Sequence, residues 1–251
     1  MNFFEQGIPL GRWFKITVVL HWTFLIYAAF IILPSAEPVA SSIFMALLFA
    51  TVLLHEFGHA ISCQLLGGLA LHIVLWPLGG IAFVKPPNNP WAWLITTVCG
   101  PLVNAVLWPL CYLYLHYGLE PTINYLHLSD TAAQYLSYIA ACMCEINRAL
   151  LLFNLIPAYP MDGGRILQEI LWLTIGYARS LHIAGMVGTV TGIGFVVLGM
   201  GVTSIHIPPP IDFTLGGNGV DPLFIIIGIL CAQMSFGIYR RSQEIATWRK
   251  N

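Results

Sequence analysis

Six stretches of this chain, about 16–33, 42–66, 91–116, 132–156, 180–203 and 222–239, are long and apolar enough to cross a hydrocarbon slab as helices. No polar stretch between them is long enough for a separate soluble domain, so residues 1–251 read as one membrane-embedded domain. Only 8% of residues are charged against 58% hydrophobic, too few charges to cover the surface of a soluble globule. The apolar content also excludes disorder, and a net charge of −1 offers no footprint for nucleic acid. Six cysteines lie in apolar stretches at irregular spacing and read as small buried hydrophobes, with no disulfide framework or CxxC site. The fold class that follows is an all-α polytopic membrane protein.

The basic residues orient it. Arg12, Lys15, Lys85, Arg165, Arg179, Arg240, Arg241, Arg249 and Lys250 fall on one side if the N-terminus is inside, and only Arg148 lies within a span. The outer connections, about 34–41, 117–131 and 204–221, carry Glu37, Glu120, Asp130, Asp212 and Asp221. Both termini are therefore expected in the cytoplasm. The first span is expected to be retained, because Glu5 in its onset is unlike a cleaved signal peptide. Residues 69–85 break the helical pattern: two β-rich runs flank Pro77-Leu78-Gly79-Gly80, which predicts a small membrane-associated hairpin. Lipid does not tolerate open strand edges, so this hairpin must sit against protein, water or the interface.

The second span carries His55-Glu56-Phe57-Gly58-His59. Residues i and i+4 share a helix face, so both imidazoles can reach one zinc ion with Glu56 beside it as general base. Three ionisable groups within five residues are costly in mid-bilayer unless something compensates them. A third ligand is offered by Asp162, in Asn154-Leu-Ile-Pro-Ala-Tyr-Pro-Met-Asp-Gly-Gly-Arg165, where prolines and glycines interrupt the helix. Asp162 read as a helix N-cap is the bland alternative. Asn154 is the favoured donor to a developing oxyanion, with Asn104 and His21 as alternatives. Glu145 and Arg148 are three apart and can neutralise each other, as a structural pair or a partner contact. His72, on the hairpin, has no spacing that forces it toward the site.

Three motifs carry a resemblance: HEFGH at 55–59, NLIPAYPMDGGR at 154–165, and Gly100-Pro-Leu-Val-Asn104. With them the chain resembles the site-2 protease family of intramembrane zinc metalloproteases over essentially its whole length. The resemblance implies a six-helix catalytic core, one zinc ion held by His55, His59 and Asp162, and Glu56 as catalytic base. It implies that the strands at 69–85 hold the substrate. It also implies regulated proteolysis of single-span membrane proteins, such as membrane-tethered transcription factors, anti-sigma factors or leftover signal peptides. The chain shows neither the PDZ nor the CBS domains of other members, so a separate adaptor or regulatory protein is expected beside membrane lipid. The location expected is a prokaryotic cytoplasmic membrane. A zinc transporter or channel, or an inactive scaffold, are the competing readings.

Overall fold

The computed structural model describes residues 7–77, 79–201, 204–207, 213–216 and 219–248. Glu5, Leu78, Asp212, Arg249 and Lys250, named above, lie outside the described residues. The chain divides into two compact units, residues 1–153 and 154–251.

The first unit opens with β1 (Gly7–Trp13) and β2 (Ile16–His21), then α1 (Trp22–Ile32) and α2 (Pro38–Leu65). β3 (Leu69–Trp76) and β4 (Gly79–Lys85) follow, and then α3 (Pro90–Leu113). A π-helical turn, Tyr114–Gly118, leads into α4 (Leu119–Tyr125), and α5 (Asp130–Asn154) closes the unit, its last residue already counted in the second. The expected hairpin is present, but as half of a four-stranded sheet in the order β1-β2-β3-β4. β1 and β2 are antiparallel, β2 and β3 parallel, and β3 and β4 antiparallel.

The expected first span, 16–33, is corrected. Its first third is strand β2, and the helix that remains, α1, has 11 residues. At about 1.5 Å per residue this is roughly 16 Å, about half of a hydrocarbon core. The cause is local chemistry joined to a distant partner. Ile16, Thr17, Val18 and Val19 are β-branched and favour a pleat, and Thr17–Leu20 pair in parallel with His72–Leu75. Buried Ile16 and Val18 then join Val52, Ala60, Cys63, Ala70, Ile73 and Leu75 in the core between the sheet and α2. His21, fully buried, ends the strand and caps α1, its Nδ1 2.7 Å from Thr23 Oγ1.

Among the described residues, five helical segments are long and apolar enough to cross a membrane: Pro38–Leu65, Pro90–Tyr125, Asp130–Asn154, Tyr177–Gly199 and Pro222–Ile245. Five of the expected spans are recovered within a few residues at their starts, and the third runs on to Tyr125 because the π-turn continues α3 into α4. The protein is a polytopic helical membrane protein with a small sheet, as the apolar pattern requires. All six cysteines are free thiols.

The second unit begins with an irregular stretch, 155–161, followed by α6 (Asp162–Ile175) and α7 (Tyr177–Gly199). A two-stranded ribbon, β5 (Ser204–Ile207) and β6 (Phe213–Gly216), precedes α8 (Pro222–Trp248). α8 starts where Asp221 accepts a hydrogen bond from the Leu223 N–H, and it extends nine residues past the expected end at 239. Gly185 and Gly192 on α7 let the α8 backbone approach closely, and Gly188 leaves room for the Ser235 side chain.

Candidate metal centre

The hydrogen bonds around His55 and His59 fix which ring nitrogens carry protons. Two buried amides lead to His55, and their orientation follows from a backbone carbonyl, which can only accept. Asn147 Nδ2 donates to Met143 O at 2.8 Å, which turns Asn147 Oδ1 toward Asn104. Asn104 Nδ2 donates to that oxygen at 2.9 Å, which turns Asn104 Oδ1 toward His55. His55 Nδ1–H then donates to Asn104 Oδ1 at 2.7 Å. On the next turn of α2, His59 Nδ1–H donates to the Thr96 carbonyl at 2.9 Å. In a neutral imidazole the second nitrogen is then a lone pair.

Those two nitrogens meet. The Nε2 atoms of His55 and His59 stand 3.1 Å apart. With both Nδ1 atoms on oxygen acceptors, the two Nε2 atoms converge on one point, the arrangement of a pair of metal donors. Imidazole nitrogen is a zinc donor with bonds of about 2.0–2.1 Å, so one ion reaches both nitrogens at this separation. The donor pair fits zinc.

Glu56 is buried beside them and is held by the sheet: the Ala82 N–H of β4 donates to Glu56 Oε2 at 2.7 Å. β4 is an edge strand, and the Ala82 amide points at the carboxylate. Gly80 lets the strand come this near, since a Cβ there would lie 2.4 Å from Glu56 Cγ. Gly100 serves His59 in the same way, since a Cβ there would lie 2.1 Å from His59 Nε2. Gly100 and Asn104 thus meet His59 and His55 in antiparallel order, one four-residue step of α3 against one of α2.

In the second unit, the stretch 155–161 is anchored through its backbone. The Tyr159 N–H donates to Ser235 Oγ at 3.0 Å, and the Met161 N–H to Ala158 O at 2.9 Å. Asp162 is buried at the first position of α6. The N-cap is Met161, with no side-chain capping bond, so Asp162 does not cap this helix. Asn154 is half-buried at the end of α5.

The other residues singled out in the sequence take different places. Asn104, fully buried, has both ends of its amide engaged with His55 and Asn147, which removes it as an oxyanion donor. His21 is a helix cap. His72 is exposed on β3, opposite Phe83. Arg148 and Glu145 form an ion pair on α5. The sequence reading missed Asn147, Gly80, Ala82 and the Thr96 carbonyl. For Asn147 the available signal was an amide in an apolar helix, where a polar side chain calls for a partner.

Residues 118–198 match the family described as Peptidase family M50. A zinc metalloprotease of Methanocaldococcus jannaschii is 35% identical over 208 residues, covering 81% of this chain and 56% of its own length. A putative zinc metalloprotease of Mycobacterium tuberculosis, Rip3, is 26% identical, covering 97% of this chain and 59% of its own length. The chain therefore spans little more than half the length of these relatives. Among solved structures, a site-2 protease from Methanocaldococcus jannaschii shares the fold, with a TM-score of 0.54, 24% identity, and 95% of this chain and 94% of that one covered. The paired imidazoles, the fold and the matched sequences converge: the chain is similar to zinc metalloproteases of the site-2 protease type, and its residues 118–198 carry the match to peptidase family M50.

Proposed function

We propose that this chain is an intramembrane zinc endopeptidase that cleaves transmembrane segments of membrane-anchored regulatory proteins near the cytoplasmic face. One observation carries the reading: two imidazole nitrogens 3.1 Å apart, with a strand-held carboxylate beside them, on a helix long enough to span a bilayer. Asp162 is the third ligand in this proposal; it is buried, and its carboxylate belongs to the zinc donor set. Zinc, when bound, polarises the scissile carbonyl and lowers the pKa of water to about 7. Glu56 accepts the proton of the attacking water and passes it to the leaving amine. Asn154 donates a hydrogen bond to the developing oxyanion, a role that the engaged amide of Asn104 cannot fill.

A substrate helix hides its carbonyls in its own hydrogen bonds, so it must unwind before attack, and lipid makes each exposed group costly. The open edge of β4 offers backbone partners to an extended segment, as in strand addition. A single-span substrate is the expected partner, with selection or regulation left to a separate adaptor. Both termini are assigned to the cytoplasm from the basic residues.

The test is reconstitution of the full chain with single-span substrates. Glu56→Gln should lower cleavage about a hundredfold or more while zinc stays bound, and a chelator should abolish cleavage by the native chain. Undiminished cleavage by Glu56→Gln would overturn the assignment. A zinc transporter would instead keep its flux in that variant and lose it on replacement of a ligand.

A further inference from the structure

The geometry points to Asn147 as a positioning residue that sets the tautomer of His55 from two side chains away. This inference rests on the metal-site reading above but is testable without it. Three helices contribute: Asn147 on α5, Asn104 on α3 and His55 on α2. Both amides are fully buried, so water does not compete for their bonds.

An Asn amide has a donor end and an acceptor end, and nothing in Asn104 alone decides which one faces His55. If its NH2 faced the ring, Nδ1 would have to be the lone pair and Nε2 would carry the proton. The nitrogen facing His59 would then be blocked as a ligand. The backbone of α5 decides. Met143 O can only accept, so it takes the Asn147 NH2 at 2.8 Å. Asn147 then presents only its oxygen, and the Asn104 NH2 turns to it at 2.9 Å. The oxygen left over on Asn104 takes the Nδ1 proton of His55 at 2.7 Å. A helix carbonyl thus dictates, through two amides, that the neutral tautomer of His55 keeps its proton on Nδ1 and turns Nε2 to the metal side. His59 reaches the same state directly from the Thr96 carbonyl. Partners of this kind behind a ligand commonly change metal affinity about 10- to 100-fold when lost.

Two measurements on the full chain in detergent test this. In zinc-free native protein, nitrogen NMR of His55 should show the proton on Nδ1; a proton on Nε2 overturns the inference, whether or not the protein proves to be a protease. Zinc affinity is then read by competition with a chromogenic chelator. Asn147→Leu should weaken zinc about tenfold or more. Asn104→Asp offers His55 an acceptor whichever way it turns, so adding Asn147→Leu to Asn104→Asp should cost less than twofold. A merely structural role for Asn147 predicts the same loss in both backgrounds, and that result overturns the inference. So does unchanged affinity in Asn147→Leu alone. If Asn147→Leu does not fold, the native tautomer still decides. Native protein that binds no zinc but carries Nδ1–H on His55 would sink the protease reading and leave the relay standing.

Discussion

At the scale of single residues, the centre depends as much on missing atoms as on ligands. A methyl group at position 100 would sit 2.1 Å from His59 Nε2, well inside contact distance. Gly100→Ala should therefore swing the imidazole off its bond to the Thr96 carbonyl and lower zinc occupancy by about tenfold or more. Metal analysis of purified protein checks this, and full occupancy would mean that α3 gives way. The paired histidines of the candidate centre were legible in the sequence because HExxH is local: spacing along one helix suffices to place two imidazoles on one face. Asn104 drew notice through its spacing from Gly100, but its role was not legible. It depends on α2 and α3 lying side by side in antiparallel order, and on Asn147 from a third helix, neither of which spacing along one helix can show.

At the scale of elements, β4 both closes the sheet and holds Glu56, the proposed base. The Ala82 N–H serves Glu56, so the strand ladder does not need it. Proline is tolerated at such edge positions, which makes Ala82→Pro a narrow lesion: the strand should persist while the carboxylate loses a charge-assisted donor. Turnover should fall about tenfold, in line with the roughly 1.5–3 kcal/mol of a hydrogen bond to a charged group, with zinc content unchanged and Ala82→Gly near native. Cleavage assays beside metal analysis check it; equal rates in the Pro and Gly variants would remove β4 from the mechanism. The β3–β4 hairpin was legible because Gly79-Gly80 punctuates it. β1 and β2 were not. Ile16–His21 runs into Trp22–Ile32 with no turn residue between them, so length alone merges strand and helix into one span. Only pairing with β3, more than fifty residues on, separates them.

At the scale of the whole molecule, the basic residues give an orientation that can be checked directly, with the run through β2 and α1 counted as a first crossing beside the five membrane-length helices. Reporter fusions at both termini should register the cytoplasmic side, and an insertion at the turn between α4 and α5, residues 126–129, the opposite side. Reporters on opposite sides at the two termini would refute it. The membrane class was legible because scarce charge over long apolar runs admits few alternatives. The number of crossings was harder to read, because an apolar run does not announce how much of itself is helix.

α1 bears on water. In a bilayer its 11 residues, with Ile26 and Phe30 facing outward, make a hydrophobic wall roughly half as tall as the acyl layer beside it. Neighbouring lipids would have to dip or tilt to match so short a wall, and a thinned patch of membrane is the expected result. Hydrolysis consumes a molecule that the bilayer interior scarcely holds, and along this flank the aqueous phase has the shortest distance to travel.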